Sequence, residues 1–379
     1  KLNRFECELS REPQRPKKDV ISTDTHFIFD KGNFKVSINK GTGLIDGVIK
    51  DGQNYVKEGA FALEIWDDNF DPWFMEETAW LKKIDEFRLL TCEETTEFCH
   101  TLQPLESVHV IESGDVRLVV EAIFGYKTSR ATVKYIISEK DGLKIDVRVN
   151  WNEKQKLIKL NVPSCFGASE CIGEQAYGRE ELKKDLEENV SQKYIALCSD
   201  ENAILAVNNC VYGSSFDDEN SSLKITLMRS PSYCAHPIDS RVVVPQDRAM
   251  PYIEQGERDF SFCFNFGRKE EILNSASRIA QHFNMAPMVL SFYPTGVGAL
   301  PGSPVKIEGN DIINVTAFKK AELGDDYILR LFNPTENHQS CKVLFRNFEK
   351  TVEFGAFEIK TLRLGEHVTE TDLMEGILQ

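Results

Sequence analysis

Hydrophobic residues recur at every second position through most of the chain, the period of strands with one buried face. From His26, Phe34, Val36 and Ile38 share one face before Gly41 and Gly43 break the run. Short strands joined by Gly turns follow from that pattern, with a further turn at Lys50, Asp51 and Gly52. Three successive antiparallel strands are predicted over Val116 to Phe124, Ala131 to Ser138 and Leu143 to Trp151. In the last, Leu143, Ile145, Val147, Val149 and Trp151 alternate with Lys144, Asp146, Arg148 and Asn150. Such alternation marks a half-buried antiparallel sheet. Tyr194 to Val211 and Leu223 to Met228 return to strand. The helical period holds over Arg268 to Phe283, where Ile272, Ala276, Ile279, Ala280 and Phe283 fall on one face. The charged run 179–190, "REELKKDLEENV", reads as a short solvated helix or a loop.

These elements predict a mostly β chain in three parts. Residues 1–24 are polar, with "SREPQRPKKD", and read as a linker or the tail of an upstream domain. Residues 25–284 form a large antiparallel β domain. Residues 288–379 carry short strands with turns at "GSP", "GND", "GDD" and "NPTEN", as a small β-sandwich of about seven strands does. One stretch departs from the rhythm. After the strand "LKITLMRSP", some thirty polar, Pro-punctuated residues intervene before "DFSFCFNFG" closes the domain. A loop of that length in a compact domain is usually functional or disordered. Its Tyr233, Ile238, Val242 to Val244, Met250, Tyr252 and Ile253 argue for order, so it is read as an ordered loop that faces something.

Composition narrows the partners. With 379 residues, 41% of them apolar and 28% charged, the chain is an ordinary globular protein. A net charge of −15 and no basic stripe speak against nucleic acid. No window approaches a membrane span. The ten cysteines show no CxxC pair and no regular spacing, as expected of buried free thiols in a reducing compartment rather than of a disulfide framework. The seven histidines are dispersed and no HExxH occurs, so no local metal-ligand set is expected in this chain. A nucleophile elbow, a P-loop and a dinucleotide fingerprint are also absent. Among 60 acidic residues a carboxylate pair could converge for glycoside chemistry, but spacing alone does not select it.

A resemblance carries the reading further. "HFIFDKGNFKVSINKGTGLIDGVIKDG" resembles the strand and "TGxI" turn that open the C-terminal β region of glycoside hydrolase family 38 α-mannosidases. "VNWNEKQKLIKLNVP", "NNCVYGSSF", "LKITLMRSP" and "EQGERDFSFCFNFG" resemble later blocks of that region, in the same order. "LSFYPTGVG" and "YILRLFNPTE" are similar to the small terminal sandwich of its bacterial, cytoplasmic branch. The resemblance covers about residues 25–365. It implies a galactose-mutarotase-like β-supersandwich followed by a small β-sandwich. It further implies a catalytic barrel before Lys1, with a zinc ion, an Asp nucleophile and a carboxylic general acid in a retaining mechanism. None of those positions lies in this sequence, so no catalytic residue and no cofactor is expected here and the chain alone is expected to be inactive. The partners implied are its own N-terminal catalytic domain and a mannose-containing glycan; a homodimer is suggested by the bacterial relatives.

In that setting the large β domain lends loop residues to the rim of the sugar site. Arg229, in "LMRSP", is the leading candidate, because a guanidinium offers a rigid donor fork to hydroxyls or to a carboxylate. It equally suits an ordinary strand-end ion pair. Tyr233, His236, Asp247 and Arg248 share the long loop. Asp71 and Trp73, in "DDNFDPW", offer the carboxylate and aromatic face that suit a sugar, although Trp66, Trp73 and Trp80 are also natural core aromatics. A free-standing carbohydrate-binding β-sandwich is the alternative, and it needs exposed, stacked aromatics from the Trp66 to Trp80 stretch. A mutarotase-like enzyme would need a His and Glu pair, which the quoted blocks do not carry.

Overall fold

The computed structural model describes residues 20–68, 79–232, 251–290 and 303–376. The described chain is mostly β and antiparallel. Contacts divide it into two compact units, the second beginning at Leu273.

The first unit is a supersandwich. Its largest sheet has ten strands, and its centre is formed by Leu118–Tyr126, Ser129–Ser138, Gly142–Trp151, Gly256–Arg268 and Asn202–Asn208, paired in that order. The three central hairpin strands match the predicted runs to within two residues. Leu143, Ile145, Val147, Val149 and Trp151 point inward as the alternation requires. Opposite them lie a five-stranded sheet that includes His26–Lys31, Phe34–Asn39 and Ile45–Lys50, and a six-stranded sheet. The six-stranded sheet runs in the order Glu188–Val190, Gly213–Asp217, Ser222–Arg229, Lys156–Pro163, Leu63–Asp67, Lys83–Glu86. Between the sheets one apolar core joins residues such as Val36, Ile65, Tyr135, Trp151, Phe262 and Phe264.

The run 179–190 is not helix: its middle, 182–187, is loop, as one of the two readings had it, and its ends are strand. Gly178–Glu181 and Glu188–Val190 are edge strands of two different sheets. The turn between them is held by Asn189, whose side chain accepts from the Lys183 N–H and donates to the Lys183 and Glu187 carbonyls. The charges that imitate a solvated helix are those of strands at a wet edge. Conversely, a helix appears at Cys92–Phe98, started by a capping box in which Thr91 and Glu94 satisfy each other's backbone N–H.

The helix Lys269–Asn284, whose residues from Leu273 belong to the second unit, appears where the 3.6 period places it, with Ile272, Ala276 and Ala280 buried. Ser277 Oγ accepts a 2.7 Å hydrogen bond from the Asn314 amide. The seven described strands from Val305–Glu308 to Val368–Thr371 form a three-stranded and a four-stranded sheet around Leu329, Leu331, Val343, Phe345, Phe354 and Leu362.

Two local features carry measurable consequences. Gly43 has φ +73°, and a Cβ on it would lie 2.7 Å from Leu89 Cδ1 and 2.9 Å from Phe124 Cζ. The Tyr135 hydroxyl donates to its carbonyl at 2.9 Å. Strain and overpacking together make Gly43→Ala cost about 2–4 kcal/mol in urea denaturation; a loss under about 0.5 kcal/mol, the ordinary surface value, would contradict the packing described. The second feature is His109, whose Nδ1–H donates to the Glu106 carbonyl at 2.8 Å while Nε2 lies 3.3 Å from Glu121. Lys134 sits 3.6 Å from the same carboxylate. The Glu121 hydrogen bond raises the His109 pKa against the opposing effect of burial. A raised pKa gives stability that is complete below the unfolded value of about 6.5 and is lost as pH rises through the folded value. His109→Gln is therefore expected to flatten the stability–pH curve from about pH 6.5 upward. Denaturation midpoints that keep the wild-type pH dependence would refute the linkage.

Candidate functional site

The six-stranded sheet buries both of its faces at the centre. In Lys156–Pro163, Ile158, Leu160 and Val162 enter the main core, while Leu157 packs with Trp66 and Trp80 on the opposite face. Lys159 shares that second face and is 1% exposed. An ammonium buried so deeply needs a partner. Its Nζ donates to Glu188 Oε2 at 2.6 Å and to Ser215 Oγ at 2.7 Å. It also lies 5.8 Å and 5.3 Å from the ring centres of Trp66 and Trp80, a cation–π geometry. Burial lowers the Lys159 pKa, with the Glu188 carboxylate opposing.

Lys224 repeats the arrangement one strand away. It donates to both Glu64 oxygens at 3.1 Å and to Asn161 Oδ1 at 3.0 Å. Glu64 also accepts from Lys83 at 3.2 Å and from the Trp66 indole at 3.1 Å. Lys83 has a second carboxylate, Glu86, at 3.0 Å.

Arg229 belongs to the same face because of a register shift. Lys159 pairs with Thr226, but Ile158 pairs with Met228 and Leu157 with Arg229. One extra residue in Ser222–Arg229 reverses the alternation at that point. Without it, Arg229 would follow Leu223, Ile225 and Leu227 into the core. Its Nε donates to both Asp68 oxygens at 3.1 Å and its Nη2 to Oδ1 at 2.8 Å. Asp68 is wholly buried, while 18% of the Arg229 side chain is exposed. The Trp80 indole N–H donates to the same Asp68 oxygen at 3.1 Å, and the guanidinium carbon lies 4.8 Å from the Trp80 ring centre. Asp68 fixes one edge of the guanidinium and Trp80 supports its flat face.

This cluster stands where both candidate loops begin. Asp68 and Trp80 flank 69–78. Beyond Arg229, Ser232 forms an antiparallel bridge with Tyr252, and the Ile253 N–H donates to the Pro231 carbonyl. The ends of the long loop are thereby held together. Of the residues singled out in the sequence, Arg229 is placed by this geometry. Asp71, Trp73, Tyr233, His236, Asp247 and Arg248 lie outside the described residues, as does most of the loop read as ordered. Trp66 and Trp80 are buried. Asp68 lies at the start of the candidate loop "DDNFDPW", though it was not named by itself; Glu64, Lys159, Glu188 and Lys224 were not singled out, and the signal for the two lysines was their place within the apolar runs "LIKLNV" and "LKITL".

Among the described residues no group of three or more His, Cys, Asp or Glu side chains could hold a metal ion. A cleft of about 300 Å³ lies elsewhere, near Phe27, Lys40, Leu90, Cys92 and Glu106. No described helix is long and apolar enough to cross a membrane.

Comparison with known proteins identifies the family. The Glycosyl hydrolases family 38 C-terminal domain matches residues 29–245, more than half of the chain. The Glycosyl hydrolases family 38 C-terminal beta sandwich domain matches residues 313–379. A solved protein of glycosyl hydrolase family 38 from Enterococcus faecalis superposes with TM-score 0.71 at 12% identity, over 95% of this chain and 46% of its own. An alpha-mannosidase from the same organism superposes with TM-score 0.64 at 11% identity, over 93% of this chain and 42% of its own. This chain therefore spans less than half the length of either. No curated protein matches it. On the strength of the two domain matches, the chain belongs to glycoside hydrolase family 38, as the C-terminal β region of such a protein.

Proposed function

We propose that this chain is the accessory region of an α-mannosidase, packing on an N-terminal catalytic domain and completing the rim of its sugar site with Arg229. The observation that carries the reading is the family match, joined to a guanidinium locked in place beside the roots of two loops. The bond-breaking groups and the zinc belong to the preceding domain, and the mannose-containing glycan is the substrate of the whole protein. A cytoplasmic location accords with eight described cysteines that are all free thiols, four of them buried. A homodimer is part of the same reading. A free-standing binding module fits less well: it needs aromatic rings open to a sugar, and Trp66 and Trp80 lie beneath 10% exposure with cations against them.

Hydrolysis of an aryl α-mannoside with zinc supplied tests this reading. The longer reading frame containing this chain is expected to turn over while the 379 residues alone do not. Arg229→Ala in the longer protein is expected to lower kcat/KM roughly 10- to 100-fold, the value of one charge-assisted hydrogen bond. Turnover by the 379-residue chain, or an Arg229→Ala variant with unchanged kinetics, would sink the proposal.

A further inference from the structure

The first unit also holds a cleft of about 300 Å³, at the lower end of the range of small-molecule sites. Phe27 and Lys40 line it from the five-stranded sheet and the turn after Phe34–Asn39. Leu90, Ser107 and Val108 line it from in and beside the strands at the border of the ten-stranded sheet. These three are buried, so the floor is apolar with one hydroxyl set into it. The polar groups keep hydrogen-bonding capacity that the fold leaves over. Ser107 Oγ lies 2.7 Å from Thr95 Oγ1, and two hydroxyls joined by one bond still own a second proton. Lys40 Nζ donates to Ser22 Oγ at 2.9 Å and to the Thr23 carbonyl, and it lies 4.4 Å from the Phe27 ring centre. An ammonium has a third proton to give. Glu106, also at the cleft, is exposed; its carbonyl accepts from His109, and among the described residues its carboxylate has no hydrogen-bond or ion-pair partner.

We propose that this cleft binds a single sugar residue, as a second carbohydrate contact of the region. Its charges decide against a simple ion: with one ammonium and one carboxylate at the cleft, neither an anion nor a cation meets a net opposite charge. Its floor decides against a wholly polar guest, because Leu90, Val108 and the Phe27 ring call for carbon against them. A pyranose meets both demands. Its faces carry C–H groups for the ring and the floor, and its edge carries hydroxyls that can accept from Lys40 and donate to Glu106. One ring and one polar rim give weak binding, so the contact is auxiliary and does not make the chain a free-standing module. The site goes beyond the role proposed for Arg229, which does not line the cleft.

The test reads Cys92, which lines the cleft and is partly exposed, in the 379-residue chain itself. Alkylation by iodoacetamide is followed residue by residue by mass spectrometry as methyl α-mannoside is added. Cys165 and Cys210 are exposed and do not line the cleft, so they serve as internal controls. The sugar is expected to slow Cys92 at least about fivefold, with half-protection near about 1 mM, the affinity usual for so small a ligand. Both controls should be unchanged. No protection at roughly a hundredfold that concentration, or equal slowing of all three thiols, would overturn the proposal. Cyclohexanol, the zwitterion leucine and inorganic phosphate are the comparison probes. Protection by any of them at a lower concentration than by the sugar would overturn it equally. Glu106→Gln removes the charge of an exposed side chain, and Phe27→Leu removes the ring while keeping apolar bulk. Each is expected to raise the half-protecting concentration about three- to tenfold, with unaltered Cys165 and Cys210 rates reporting an intact fold. Half-protection unmoved in both variants would refute the site. Arg229→Ala is expected to leave Cys92 protection as it is, so failure of this site and failure of the proposed function are read separately.

Discussion

An ammonium with almost no contact with water sets the terms for half of the supersandwich. Lys159 lies on an inner strand of the six-stranded sheet, and its charge is tolerable only because Glu188 reaches it from the edge strand and Ser215 from the strand next to that edge. Removing one member of such a pair typically costs about 3–5 kcal/mol, because the other charge stays behind unpaired. The ion pair therefore fixes the spacing of strands far apart in sequence. It also explains why the aromatic cover consists of tryptophans. Trp66 and Trp80 give an apolar lid, rings for the cations below, and N–H groups that reach Glu64 and Asp68.

Where water wets one face of a strand, its sequence was readable. Gly142–Trp151 alternates because its outer residues are solvated, and Lys269–Asn284 shows a helical period for the same reason. In Lys156–Pro163 both faces are buried, and the alternation that names a face disappears. Lys159 there is joined to Glu188, and Lys224 on the neighbouring strand to Glu64, and both carboxylates lie on strands that no local pattern connects. Arg229 was picked by resemblance rather than by period, and period alone would have sent it inward, since a register shift has no signature in a string of apolar residues. The helix at Cys92–Phe98 is the opposite case. Its capping signal, "TCEE", was present, but only Thr95 is buried, so no apolar stripe accompanied it.

The site divides along similar lines. Its anchors are regular structure: strand ends, a bridge and a buried carboxylate. These are what physical reasoning about alternation and pairing can reach once partners are known. The residues that the resemblance implied for the rim, among them His236 and Asp247, lie outside the described residues; in general, segments that join strands answer to whatever they face rather than to the sheet.

The bridge between Ser232 and Tyr252 has a bearing on how such proteins diverge. Once the two ends of a connection are held by such a bridge, the chain between them no longer has to find its own closure. Doubling the length of a flexible connection then costs only about 0.6 kcal/mol, a small fraction of a domain's stability. Insertions and deletions between those two residues can accumulate by ordinary drift while the Arg229 platform stays in register. The same scaffold can in this way carry new connections over generations without being refolded each time.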